Sequence, residues 1–341
     1  MDAATSPLVP LRHPNRDFFV LDISDAAPRA DMAGMEHPFF ALTTQPDTRI
    51  REYARGDAFV RVIPSVMGMA TVFDRDVLLY CISQLMARKN AGLSIGKVVQ
   101  FNAYDLLVAT NRQTSGRGYD LLEGALTRLR GTTFQTTVRT GGEQATRIFG
   151  MIESADILRK EPITGRMVAV EVVLSDFLFR AIESNQVLPI HRDYFRLRSP
   201  VDRRLYELAR KHCGQQSEWA IGLDVLKEKV AFSSDERKLR FHLRKVTATQ
   251  HLPDYTIAFD DDVVTFTRRP AAVKPPELTV DSLDRLLEQG ALEIARAEAQ
   301  KRNRDFYALK SEFIALMETK GRPANVSGAF VGFVRKKKRV G

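Results

Sequence analysis

Residues Ser199–Arg269 read SPVDRRLYELARKHCGQQSEWAIGLDVLKEKVAFSSDERKLRFHLRKVTATQHLPDYTIAFDDDVVTFTRR, and the order of elements in this stretch decides the fold. Ser199 before Pro200, with Asp202 three residues on, opens a helix: the hydroxyl accepts from a free backbone N–H, proline suits the first helical position, and the acid favours the positive helix end. Val201, Leu205, Leu208, Ala209 and His212 recur on one face, and Gly214 ends the helix. Leu223 to Val230 is a second, short helix. Ser233 followed by Glu236 is a capping-box pattern that starts a third, reaching Thr247. At about 100° per residue, Leu239, Leu243 and Val246 form one narrow apolar stripe on that third helix. Arg237, Lys238, Arg240, Arg244 and Lys245 take the opposite side with Phe241 among them, and the only acids, Asp235 and Glu236, lie in the first turn. Tyr255–Phe259 and Val263–Thr267 alternate on either side of three aspartates, which predicts a hairpin. Three helices with a basic third, then a hairpin, is the order of a winged helix-turn-helix, a unit that lays its third helix in the DNA major groove. The competing reading of the same stretch is a charged surface helix of some other α+β domain.

Upstream the same order recurs. Phe39–Leu42 and Ala58–Ile63 alternate as strands. Asp74 caps a helix with Val77, Leu78, Cys81, Leu85 and Met86 on its buried side. A strand at Val98–Phe101 enters a short helix from Asn102 to Thr110, and the loop Asn111–Gly118 leads to a third helix from Tyr119 to Arg130. Thr133–Val138 and Arg147–Ile152 alternate around Gly141-Gly142, a hairpin signal. Met167–Leu174 as a strand and Ser175–Glu183 as a helix complete this module. Its third helix carries mixed charge (Asp120, Glu123, Thr127, Arg128, Arg130), so it attracts phosphates less than the later one. It either touches the DNA backbone through Arg112, Arg117, Arg128, Arg130 and Arg147 or serves mainly as a protein interface.

Length and charge agree with this reading. The chain has 341 residues, enough for two or three domains, and carries a net charge of +9, which suits a polyanionic partner. No apolar run approaches the roughly 18 residues of a membrane span, and no cleavable leader is evident, so a cytoplasmic location is expected. Cys81 and Cys213, the only cysteines, are expected as buried thiols. The expected architecture is α+β: a flexible N-terminal arm (1–38), a first winged-helix domain (39–190), a second (191–270), and a linker, helical segment and basic tail (271–341). In that last part Lys274-Pro275-Pro276 is a stiff linker and Arg335–Arg339 a solvated tail. A helical stretch from Val280 to Thr319, interrupted near Asn303, lies between them.

Chemistry of other kinds finds little support. Gly92–Lys97 is one residue short of a phosphate-binding loop and lacks Ser or Thr after the lysine. The six histidines form no His-x-His pair of the kind a metal-dependent nicking enzyme uses. Asp260–Asp262 reads as a turn of acids facing water, and Tyr119, Tyr194 and Tyr206 as structural residues. No nucleophile stands beside a base, so no catalytic residue, cofactor or metal ion is expected.

Four strings carry a family resemblance: Phe39-Phe40-Ala41-Leu42; Gly68-Met69-Ala70-Thr71 continuing to Asp74-Arg75-Asp76-Val77; Tyr119–Leu122 running to Leu129–Thr133; and Asp193–Leu197 through Arg204–Gly214. In order and spacing the chain resembles the replication initiator protein A family of theta-replicating bacterial plasmids. Two departures stand out: Gly118 occupies a place where a larger residue is expected, and Ala231-Phe232-Ser233 replaces a small Gly-Ser turn. The resemblance implies a sequence-specific binder of repeated double-stranded origin sites (iterons) that opens the origin and recruits the host initiator DnaA and the replicative helicase. It also implies monomer–dimer self-association, with dimers repressing the initiator's own gene or limiting copy number. A transcriptional regulator of the same fold is the alternative, and an origin-nicking relaxase a more distant one. Within this scheme Arg237, Lys238, Arg240, Arg244 or Lys245 reaches guanine edges. Phe241 either contacts a thymine methyl or packs on its own hairpin.

Overall fold

The computed structural model describes residues 6–13, 28–43, 45–56, 58–139, 145–159, 167–214, 216–270, 287, 289–302, 304–320, 323 and 325–337. The Gly141-Gly142 turn, the proline-rich linker and the end of the basic tail lie outside them. Residues 1–270 form one compact unit and residues 271–341 another.

The first unit begins with strand β1 (Arg29–Asp31) and helix α1 (Met32–Glu36), both inside the segment expected to be a flexible arm. The expectation fails there because this piece is buried. β1 pairs antiparallel with β9 (Val187–Pro189), and Ala30, Asp31 and Met35 are shielded from water. Residues 6–13 also run along the body, with Leu8 bridged to Leu197 and Arg12 N–H donating to Asn111 Oδ1 at 2.7 Å. Phe39–Leu42 forms no named strand, only a bridge from Ala41 to Thr71.

Strands β2 (Arg51–Arg55) and β3 (Ala58–Ile63) pair, and helix α2 (Arg75–Asn90) follows. α2 is buried almost all round, including Arg75, Asp76, Ser83 and Gln84, because strands and helices of the first half pack on it and the side chains of Arg203 and Glu207 pair with its charges. Asp74 does not cap it; its carboxylate accepts from Thr71 N–H at 2.9 Å instead. Next come β4 (Val98–Asn102), α3 (Ala103–Ala109) and α4 (Gly116–Gly131). β5 (Thr133–Thr136) and β6 (Arg147–Phe149) then pair with each other, in the order β2-β3-β5-β6. The hairpin beside β4 is a different one, β7 (Ile152–Arg159) with β8 (Met167–Leu174), giving the order β4-β8-β7. The wing expected at 133–152 therefore belongs to a separate four-stranded sheet. Both hairpins alternate equally well in sequence, and which one finds β4 is set by long-range pairing. Helix α5 (Asp176–Glu183) and β9 lead into the second half.

There helix α6 (Pro200–Cys213) is capped by Ser199, whose hydroxyl accepts from Asp202 N–H, and ends at Gly214 as the pattern predicts. β10 (Glu218–Gly222), not expected from the sequence, precedes α7 (Leu223–Val230), α8 (Glu236–Thr249) and the hairpin β11 (Tyr255–Asp260)–β12 (Val263–Arg268). The sheet order is β10-β12-β11. Helix, strand, helix, helix, hairpin thus occurs twice, with β5 and β6 inserted before the hairpin the first time, and each time the strand before the second helix pairs with the far strand of the hairpin. Asp261 and Asp262 form the two-residue turn with φ of 43° and 61°, the left-handed pair that matches strand twist. One hydrophobic core runs from Ala30 to Phe266 through both halves, and it holds both thiols, Cys81 and Cys213.

The second unit is helical: α9 (Gln289–Lys301), α10 (Phe306–Lys320) and α11 (Val326–Lys336). The expected helical stretch breaks between Lys301 and Phe306, and its opening residues 280–286 lie outside the described ones; α11 is unforeseen and takes Arg335 and Lys336 out of the expected tail. Ala295, Phe313, Met317, Phe330 and Val334 make its own core.

Candidate nucleic-acid interface

α8 is seated by its apolar stripe. Leu239, Leu243 and Val246 are fully buried, as their spacing requires. Its cap is Asp235, which accepts from Arg237 N–H at 3.0 Å, and not Ser233. The shift has a local cause. α7 closes with Ala231 in the left-handed region (φ 57°) and Phe232 N–H donating back to Lys227 O at 3.1 Å, so the chain reaches helical geometry three residues later than Ser233.

With the stripe inward, Arg237, Lys238, Phe241, Arg244 and Lys245 all face solvent. Phe241 is 71 % exposed, so it does not pack on its own hairpin. Arg240 behaves differently. Its guanidinium lies 2.8 Å from Glu236 Oε1 and 2.9 Å from Asp262 Oδ2, closing a clip between α8 and the hairpin tip. Hydrogen bonds from Arg240 hold the Asp262 carboxyl below its ordinary range. The acid turn, expected to face only water, thus supplies one carboxylate to α8. Hence five of the six residues singled out on this helix form an open row, and the sixth fixes the hairpin beside it.

Behind the row, buried Asp202 of α6 accepts from two imidazoles, His242 Nε2 at 2.6 Å and His251 Nε2 at 2.8 Å. Burial alone would raise this carboxyl, yet the two histidines together hold it below its usual value. These partners stand 40 and 49 residues apart in sequence. No local pattern announces them.

In the first half the arginines part company. Arg117 and Arg130 are exposed, and Arg147 is half-buried on β6. Arg128 is bidentate to Asp74 at 2.7 Å, and Arg112 Nη2 lies 3.1 Å from Asp76 Oδ2. The buried carboxylates draw these two guanidiniums inward, away from the surface where a phosphate contact was expected. Arg159 at the end of β7 pairs with Glu123 of α4, so the hairpin is clipped to its helix here too, with the charges exchanged. Gly118 also finds its reason: a Cβ there would stand 1.9 Å from Gln113 O, inside the turn that leads into α4.

The replication initiator protein A family model matches residues 29–257. A putative replication protein of Wigglesworthia glossinidia brevipalpis is 35% identical over 259 residues, covering 74% of this chain and 94% of that one. The chain belongs to the replication initiator protein A family. Among solved structures, domains 2–3 of RctB align over 70% of the initiator and 97% of that chain, at 13% identity and a TM-score of 0.49. The Pi initiator protein in complex with iteron DNA aligns over 53% and 84%, at 18% identity and a TM-score of 0.38. The family match starts at β1, within the segment expected to be a flexible arm, and stops before the helical second unit of the initiator. Among the described residues no group of histidine, cysteine and acidic side chains is arranged to hold a metal ion, and no helix is long and apolar enough to cross a membrane.

Proposed function

We propose that this initiator is built on two tandem winged helices, 39–190 and 191–270, extended by residues 28–38, and reads repeated origin sites in double-stranded DNA through α8. The observation that carries the reading is the open row Arg237, Lys238, Phe241, Arg244 and Lys245, with a hairpin clipped beside it. Arginine and lysine at helical spacing suit guanine O6 and N7, and an exposed phenylalanine suits a thymine methyl. Arg117, Arg130 and Arg147 of the first half supply phosphate contacts that position the duplex without reading it. Two units on one duplex reach successive grooves, and bending between them favours opening of a neighbouring A·T-rich tract. Binding and deformation alone drive these steps, with no covalent chemistry. Recruitment of DnaA and the replicative helicase, autorepression and a monomer–dimer equilibrium follow from the family reading, as does a place in the bacterial cytoplasm.

Gel shifts with the flanking repeat DNA test the reading. Replacing Arg244 and Lys245 with Ala is expected to weaken specific binding by about 1–3 kcal/mol for each base edge that a side chain no longer reaches. Where the truncated side chain meets phosphate instead, the slope of log affinity against log salt falls by about 1. Unaltered affinity with preserved circular dichroism would mean that another face meets DNA. A minicircle carrying only this gene and its flanking repeats should transform a host; failure, with operator binding intact, favours a transcriptional regulator. Strand cleavage of supercoiled origin DNA by the purified chain would favour a relaxase.

A further inference from the structure

A second basic cluster lies away from α8, at the junction of α4, β6 and α5. Packing of these elements assembles it. Phe149 of β6 stacks on Phe177 of α5, with ring centroids 4.4 Å apart and planes at 18°. Arg147, two residues before Phe149, shares its face of the strand, and Arg180, three residues after Phe177, shares its face of the helix. Gly150 then lets the strand end approach the last turn of α4, since a Cβ there would lie 3.3 Å from Arg130 O. Arg130, Arg147 and Arg180 consequently line one cavity of about 540 Å³.

The acids in its wall are paired to a lysine, and Asp176 also lies within electrostatic reach of Arg180. Glu153 and Asp176 are both taken by Lys97, at 3.1 and 2.9 Å, and that lysine depresses the Asp176 carboxyl. Arg180 Nε is shielded from solvent and has no acceptor among the described residues. Such a shielded donor stays costly until an acceptor arrives, and guanidinium groups match the geometry of phosphate oxygens.

We infer that Arg130, Arg147 and Arg180 form a cradle for a phosphate group, supplied either by the DNA backbone or by a free phosphate compound. Only the DNA source rests on the function proposed above.

The test uses the full chain. Titration calorimetry with inorganic phosphate, DNA absent, should give saturable binding that weakens about tenfold in Arg180→Gln and in Arg130→Gln and is partly restored in Arg180→Lys. Arg130 is exposed, so its variant keeps the test valid if Arg180→Gln unfolds. Ethylation interference on repeat DNA separates the sources. A DNA phosphate in the cradle predicts that interference at one backbone position disappears in Arg130→Gln while the bases protected by α8 remain protected. A free compound predicts loss of phosphate binding with an unaltered interference pattern. Phosphate affinity and interference both unchanged in folded variants would overturn the inference. Saturable phosphate binding, weakened in both variants, by an unaltered chain that fails to bind repeat DNA would count against the DNA reading and leave the cradle standing.

Discussion

Arg240 and Arg244 stand one turn apart on α8 and meet different surroundings. Arg244 is open to solvent, while Arg240 holds the hairpin tip through Asp262. If Arg240 acts by positioning that tip, Arg240→Ala and Asp262→Asn should each narrow the preference for repeat over random DNA by the same factor, and the double variant should add nothing. Additive losses would instead place Arg240 on a base. A second residue-scale prediction concerns Ala231, which sits at φ 57° where the sequence departs from a Gly-Ser turn. The left-handed region costs a residue with a Cβ about 1–2 kcal/mol, and glycine returns part of that as extra freedom of the unfolded chain. Ala231→Gly should therefore raise the unfolding free energy by about 1 kcal/mol in urea titrations. A loss of stability would show that Ala231 carries packing that its backbone angle conceals.

At the scale of elements, α8 was legible because its information is local. A stripe at 3.6-residue spacing and a one-signed opposite face need no knowledge of the rest of the chain. The cap missed by two residues, since α7 closes only at Ala231 and Phe232, and that closing turn depends on a left-handed alanine no propensity favours. The first-half wing was misplaced because strand pairing is decided at a distance: β7 meets β8 across residues 160–166, and β4 meets β8 some 70 residues on. Long-range partners likewise hid the fates of Arg112 and Arg128. The Asp202 cluster that anchors α8 belongs with these, and it predicts a pH dependence. Its folded-state carboxyl lies below the ordinary value near 4, so its contribution is complete above that value and is lost as pH falls below it, through the lowered folded value. Asp202→Asn should destabilise the chain by about 3 kcal/mol near neutrality, since the histidines lose a buried partner. The gap between native and variant melting temperatures should then shrink as the pH is taken from 6 down to about 3. A gap that stays constant over that range would mean the carboxyl titrates alike in folded and unfolded chains.

Across the whole molecule, the two halves are joined by buried charge as well as by a shared core. Arg75 of α2, 0 % exposed, lies 2.9 Å from Asp31 Oδ1 and 2.7 Å from Glu207 Oε1 of α6. Arg204 donates to the last carbonyls of two helices, Gly34 and Met35 of α1 at 2.9 and 2.8 Å and Lys229 of α7 at 2.9 Å. Gly34 is glycine because a Cβ would press to 2.6 Å from Asp31 Oδ2 and 2.7 Å from Arg75 Nη2. Residues 28–38 therefore supply a counter-ion and a set of acceptors that both halves need. Removing residues 1–38 would strand Arg75 with one partner fewer and leave much of the Arg204 guanidinium without acceptors. Each broken buried ion pair costs about 3–5 kcal/mol, against a total stability of about 5–15 kcal/mol for a domain. That truncation should yield chain that fails to give a cooperative melting transition. Ending the chain at Pro270 removes a unit with its own core and none of these buried charges, so residues 1–270 should melt cooperatively and bind repeat DNA with the specificity of the full chain. The two truncations remove segments that a composition-based reading treats alike, as extensions of a central body, and the buried charges predict opposite fates for them. If the chain lacking residues 1–38 melts cooperatively and binds, the Arg75–Asp31 pair is dispensable and the contacts that remain between the halves, Arg75–Glu207 among them, suffice. If instead residues 1–270 lose specificity while staying folded, the helical unit takes part in reading the site.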